Sequence, residues 1–258
     1  MTQTRGFKIV KYVGLALGII LSYAVSSGWH DSPLQDLFQA IQNRNVSLTH
    51  QLLNQGVDAN QRTPEGITPL HLAAKSGQIT ITNLLLERGA NVRAAYQAKW
   101  TPLHFAAQGG HVDVAKLLLE YGADVKGKEG KITPLHIAVQ NQQRRMTSFL
   151  LSHGATVQTP FKEGWTALHL AAQTGDTDMA KLLLDSGAPI NATNAIGMTP
   201  LHSAAFSGHL HFTQYLLSQG ATCSLPTQPM PRLQIDTIKM VIAAVQEILQ
   251  HCPPARTS

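Results

Sequence analysis

Cysteine is scarce in this chain. Only Cys223 and Cys252 occur among its 258 residues, which excludes a disulfide framework and any CxxC metal pair and leaves one optional bond late in the chain. No HExxH, GxSxG, Walker or GxGxxG arrangement is found, so the common signatures of metal-dependent hydrolysis, nucleophilic catalysis and nucleotide binding are missing. Concentrated charge is lacking too. The formal net charge is +5, yet between Ser32 and Leu225 there are 14 Lys/Arg against 12 Asp/Glu, whereas binding phosphates requires a basic face. Nucleic acid is therefore not expected as a partner. What is present, 43% apolar and 14% charged residues, is the composition of a chain that buries a core.

One apolar run stands out, at the start. Arg5, Lys8 and Lys11 precede an uncharged stretch from Tyr12 to Trp29 whose apolar heart is Val13 to Val25. A basic region before an apolar one predicts either a signal peptide, cleaved near Ala24, Ser26 and Ser27, or a retained membrane anchor over residues 1–29. The compact heart favours cleavage, because a spanning helix needs about 20 apolar residues and a signal core only about 7–15. In both cases the segment engages the membrane or the secretion machinery. The positive-inside bias then puts the rest on the non-cytoplasmic side, periplasmic or secreted if the signal is removed and membrane-anchored if it is kept. Gly14 and Gly18 have the GxxxG spacing that can pair two anchors, with simple flexibility as the favoured reading.

Beyond this segment the chain repeats itself. TPLH recurs at Thr68–His71, Thr101–His104 and Thr133–His136, TALH at Thr166–His169, and TPLH at Thr199–His202, in steps of 33, 32, 33 and 33. A glycine closing a leucine-rich run recurs independently at Gly56, Gly89, Gly122, Gly154, Gly187 and Gly220, which adds one earlier, degenerate unit over Leu37 to Asn60. Both series shorten once between Gly122 and Thr133, so the missing residue belongs to that connection, where deletions are tolerated.

Each unit parses as two short antiparallel helices. Thr68 is the expected N-cap with Pro69 at the first helical position; Leu70, Ala73 and Ala74 form a small apolar face, and Gly77 ends the helix. Ile81, Leu84 and Leu85 line the second helix, and Gly89 supplies its left-handed cap. No unit can bury that much leucine alone, so stacking is obligatory.

The T-P-L-H and A-A signature, the glycine, the leucine run and the 33-residue period together resemble the ankyrin repeat family over about Pro33 to Leu225. The resemblance implies an all-α repeat solenoid: six stacked helix-turn-helix repeats with hairpin-like turns, at about 34–67, 68–100, 101–132, 133–165, 166–198 and 199–225. The turn glycine found as Gly66, Gly164 and Gly197 is replaced by Lys99 and Lys131, so those turns are expected to be distorted. The fourth repeat reads Gln140-Asn141-Gln142 where a glycine ends the first helix elsewhere, and is expected to be the least regular. A Pro-rich connector, 226–235, then leads to an amphipathic helix over 236–252, read as a C-terminal cap in preference to a partner-binding helix. An oxidising compartment would allow Cys223 and Cys252 to staple it to the array, with two unbonded cysteines as the favoured reading.

The motif histidines His71, His104, His136, His169 and His202 are, by the resemblance, structural hydrogen-bonding residues. His209 and His211 lack the spacing of a paired helical ligand, and Asp176 and Asp178 sit where acids suit a helix start. No catalytic residue, metal site or cofactor is expected. The resemblance also implies a concave contact surface, made by Ile67, Trp100, Ile132, Trp165 and Met198 before each motif threonine and by Lys75, Gln108, Gln140, Asn141, Gln173 and Phe206 after the small residues of the first helix. Trp100 and Trp165 are candidate anchors, the alternative being that they pack on the neighbouring turn and stiffen it. The basic connection Lys126–Lys131 is read as a solvated loop, with an acidic partner as the sharper reading. The expected function is a non-enzymatic scaffold binding another protein outside the cytoplasm. The alternatives are an inhibitor or immunity protein against an exported enzyme or toxin and, remotely, a metal-dependent enzyme.

Overall fold

The computed structural model describes residues 33–127 and 131–222. They form six antiparallel helix pairs in a row: α1 (Pro33–Gln42) with α2 (Val46–Asn54), α3 (Pro69–Lys75) with α4 (Ile79–Glu87), α5 (Pro102–Gly109) with α6 (Val112–Glu120), α7 (Pro134–Gln140) with α8 (Arg144–Ser152), α9 (Ala167–Thr174) with α10 (Thr177–Asp185), and α11 (Pro200–Phe206) with α12 (Leu210–Ser218). Single-turn 3₁₀ segments at Gln97–Lys99 and Lys162–Gly164 lie in two of the connecting turns. Among the described residues there is no strand, only isolated bridges at Tyr96–Trp100 and Phe161–Trp165. The fold is an all-α repeat solenoid.

The first helices carry small residues where they meet. Ala73 and Ala74, Ala106 and Ala107, and Ala171 and Ala172 are fully buried, so these helices pack closely on one another. The second helices meet through larger side chains such as Leu85, Leu118, Leu150, Leu183 and Leu216, and pack on their neighbours less closely. A row of helices held closer on one side than the other curves toward the closer side. The first-helix face is therefore the inner, concave one. Each buried leucine contributes roughly 1.5–3 kcal/mol, and none of this burial exists without the neighbouring repeat.

Threonine and histidine lock the first helix of each repeat from the second to the sixth. The His71 Nδ1 accepts the Thr68 backbone N–H at 3.2 Å and pairs with the Thr68 hydroxyl at 2.8 Å, and the same pattern recurs at Thr101–His104, Thr133–His136, Thr166–His169 and Thr199–His202. A backbone N–H can only donate, so Nδ1 is the acceptor and the proton sits on Nε2. That proton reaches the turn leading into the next repeat: His71 donates to the Trp100 carbonyl at 3.3 Å, His104 to Ile132 at 3.1 Å and His169 to Met198 at 2.9 Å. A second set of ties runs backward from the residue preceding three of the second helices, α4, α6 and α12. Gln78 donates to the Ile41 carbonyl at 2.7 Å, His111 to Lys75 at 3.0 Å and His209 to Gln173 at 3.0 Å.

Several expectations change. The Lys99 turn is not distorted: Lys99 takes the left-handed conformation (φ 68) that Gly66 takes in its turn, and the Tyr96 N–H still closes on the Trp100 carbonyl at 2.7 Å. In the fourth repeat, helices α7 and α8 have ordinary lengths, because Gln142 adopts φ 55 in place of the absent glycine. The missing residue falls between α6 and α7, as the spacing requires.

The expected signal peptide or transmembrane helix and the membrane or periplasmic placement are corrected. Among the described residues no helix is long and apolar enough to cross a membrane. The longest, α1 with ten residues, spans about 15 Å of a hydrocarbon core roughly 30 Å thick. Residues 1–29, the connector 226–235, the helix expected over 236–252, and Cys223 and Cys252 all lie outside the described residues.

Two outcomes follow from these contacts. Burial lowers His71, His104, His136 and His169 to about 4, so between pH 6.5 and 4 the unfolded chain takes up protons that the folded chain refuses. Stability should be full above pH 6.5 and fall as the pH drops toward 4, by up to about 1.4 kcal/mol per pH unit for each histidine. Urea midpoints that stay constant between pH 7 and pH 5 would contradict this. Gly164 (φ +78) faces the next turn, where an added Cβ would stand 3.0 Å from the Asn194 Cα and 3.1 Å from the Ala195 N, whereas Gly66 (φ +92) faces open space. Gly66→Ala should cost about 1–2 kcal/mol for left-handed strain alone. Gly164→Ala should cost clearly more in the same urea titration.

Candidate protein interface

On the concave side the exposed part of each first helix lies at its C-terminal end, because the N-terminal turn is occupied by the buried Thr-Pro-Leu-His block. The structure brings Lys75, Gln108, Gln140, Gln173 and Phe206 into one register column, one from each of α3, α5, α7, α9 and α11, all partly exposed, with Asn141 exposed beside Gln140. Helices that pack directly sit about 8–10 Å apart, so this column offers one side chain at roughly that interval. It is a row of neutral amides between a cation and an aromatic ring. The Lys75 ammonium is half-buried, and burial lowers its pKa. The side-chain oxygens of Gln108 and Gln140 are buried and lack a hydrogen-bond partner, leaving two acceptors unused on the floor of the surface. The Asn141 amide, by contrast, donates to the Ile137 carbonyl at 2.8 Å.

The residues before each motif threonine divide. Ile67, Trp100 and Met198 are buried, at 2%, 6% and 6% exposure, and offer little surface. The Trp100 ring is stacked on His104, with centroids 5.8 Å apart, and edge-on to Phe105 at 5.5 Å, in a cluster that also holds Tyr96 and His71. The Trp100 ring is thus spent on the turn of its own array, the alternative weighed for it beside the anchor role. Trp165 and Ile132 are partly exposed, and Trp165 leans edge-on against His169 at 5.5 Å. Of the two tryptophans, only Trp165 presents a face.

Among the described residues no array of acids and bases is turned toward a common point. The four histidines lowered to about 4 are buried and neutral at physiological pH. Among the described residues no group of three or more His, Cys, Asp and Glu side chains is placed to hold a metal ion. His209, which the sequence leaves without a role, ties the sixth repeat to the fifth, and its ring fills the space beside Gly175, where a Cβ would meet Nδ1 at 2.7 Å. His111 does the same against Gly77 and Gly109. This tie was detectable in principle: a side chain able to donate follows the glycine at Gly77-Gln78, Gly110-His111 and Gly208-His209.

Comparison with known proteins agrees with this geometry. The chain matches the family model for ankyrin repeats in three copies over residues 37–129, 94–161 and 135–227. No curated protein sequence matches. Among solved structures it is similar to the crystal structure of the human ASB11 ankyrin repeat domain, with a TM-score of 0.71 and 27% identity over 87% of this chain and 100% of that one. With the matched segments running through most of the chain, and the helix pairs, turns and Thr-His locks in register, the chain belongs to the ankyrin-repeat family.

Proposed function

We propose that this non-enzymatic ankyrin-repeat protein binds another protein through its concave face, with Lys75, Gln108, Gln140, Asn141, Gln173 and Phe206 as the floor and Trp165 and Ile132 at the turn edge. The observation that carries the reading is the in-register column itself. The array spends its leucines, motif histidines and most turn hydrophobics on internal packing, yet keeps one partly exposed side chain per repeat at a fixed interval along a rigid surface. A pre-organised surface loses little entropy on binding, and amides accept and donate hydrogen bonds without the desolvation cost of charges. Trp165 is the residue suited to the central apolar contact, since a partly exposed tryptophan that becomes buried contributes about 2 kcal/mol or more at an interface. Ile67, Trp100 and Met198 support the turns from beneath.

Site-specific photocrosslinking tests the reading. A benzophenone side chain at Gln108 or Gln173 should yield partner adducts, and one at Lys116 or Lys181 on the second helices should not; adducts confined to the second-helix positions would overturn it. Trp165→Ala should weaken partner capture about tenfold or more with little change in melting. Trp100→Ala should instead cost about 3–5 kcal/mol of stability, the loss typical of a buried aromatic.

A further inference from the structure

We infer that the junction between the fourth and fifth repeats is a hinge held shut by the ion pairs of Arg144, from which the fifth and sixth repeats open as one unit. Two hydrogen-bonded ties recur along the array, and among the described residues this is the junction where neither is well formed. The forward tie is poorly formed because the His136 Nε2, fully buried, approaches the Thr159 carbonyl of the turn without the geometry of a full hydrogen bond. Its ring packs against Phe161 with centroids 4.6 Å apart, and the Trp165 carbonyl that would correspond to the Trp100, Ile132 and Met198 acceptors receives none from it. The backward tie fails for a chemical reason. Where Gln78, His111 and His209 donate to the preceding repeat, the fifth repeat has Asp176, whose carboxylate cannot donate to the Gln140 carbonyl. Neighbouring junctions keep at least one of the two: His104 closes the one before and both ties close the one after, through His169 and His209.

The remaining contacts there are thin. The loop bond that measures 2.8 Å between Asn60 and the Gly89 carbonyl, and 2.8 Å between Arg93 and Gly122, is stretched to 3.4 Å between Gln158 and Gly187. Helices α8 and α10 also touch least among adjacent second helices. The fourth repeat carries left-handed strain at Gln142 as well, on the same side of the junction.

What this junction has in exchange is charge. Arg144, the first residue of α8, grips Asp176 with both arms of its guanidinium, Nη2 to Oδ1 at 2.8 Å and Nε to Oδ2 at 3.1 Å, and reaches Asp178 through Nη1 at 2.7 Å. Among the described residues these are the two salt bridges present. Asp176 is 4% exposed in its side chain and also caps α10 by accepting the Met179 N–H at 3.0 Å, so removing Arg144 strands a buried carboxylate with a single donor. Arg144 itself is 53% exposed, which leaves the clamp open to salt and to competing anions. The hinge divides the concave column: Lys75, Gln108 and Gln140 stand on one side, and Trp165, Gln173 and Phe206 belong to the turn and helices on the other.

Hydrogen exchange on the full chain, read by mass spectrometry, tests the hinge. Arg144→Gln should speed exchange in α9 to α12 by about tenfold or more while α1 to α6 stay within about twofold, the pattern of a sub-global opening. Raising sodium chloride from 20 mM to 0.5 M should produce a smaller shift of the same pattern in the parent chain and none in the variant. The double variant R144Q/D176H, which installs the donor used by His111 and His209, should regain protection and be insensitive to salt. Even acceleration across all six repeats, no acceleration in Arg144→Gln, or a double variant as open as the single one would each overturn the inference.

Discussion

The structure depends on how closely neighbouring first helices approach. Ala73, Ala74, Ala106, Ala107, Ala171 and Ala172 are fully buried where these helices meet, and a bulkier residue there would push two repeats apart. That distance sets the rest. It brings the Nε2 of His71, His104 and His169 within reach of the following turn, it bends the row toward the first-helix side, and it lets the imidazoles of His111 and His209 settle beside glycines of the preceding or same loop. A helix pair removed from the row would expose its leucines on both flanks, so stability is a property of junctions and not of units.

The binding face is what the packing leaves over. From the second repeat to the sixth, the Thr-Pro-Leu-His or Thr-Ala-Leu-His block and the small residues after it are committed to the interior, and the last turn of the first helix is not. Trp100 shows how internal demand takes precedence. With lysine in place of the usual turn glycine, an aromatic cluster of Tyr96, Trp100, Phe105 and two histidines holds that turn in shape and consumes the ring. In the proposed interface the polar contacts then fall to the amides on α5, α7 and α9. The same burial keeps the motif histidines neutral, which suits hydrogen bonds that need a fixed tautomer and unsuits proton transfer with solvent.

Most of the architecture was legible in the residues. Two independent markers with a 33-residue step located six helix pairs, and the one-residue shortening was assigned to the connection where the structure has it. The burial of Ile67, Trp100 and Met198 was not legible, because position in a repeat says which element carries a side chain and not whether its ring turns in or out. Lys99 and Gln142 were misjudged for a related reason. A missing glycine signals a preference of about 1–2 kcal/mol, and tight packing on both sides of a turn imposes the left-handed backbone against it. The Arg144 clamp escaped notice since Arg144 and Asp176 are 32 positions apart where the local repeat step is 33, so they hold non-equivalent positions in their repeats and no motif register pairs them.

The ties that join repeats span 28 to 37 positions wherever they occur. The chain segment closed by each new junction therefore has nearly constant length, and the entropy of closing it varies by only about 0.2 kcal/mol from the first repeat to the last. Growth of the array from any starting pair meets the same barrier at each step, so a lengthening chain of this kind gains stability without gaining topological difficulty. Copying a repeat within such a sequence adds a unit whose folding problem has already been solved next door.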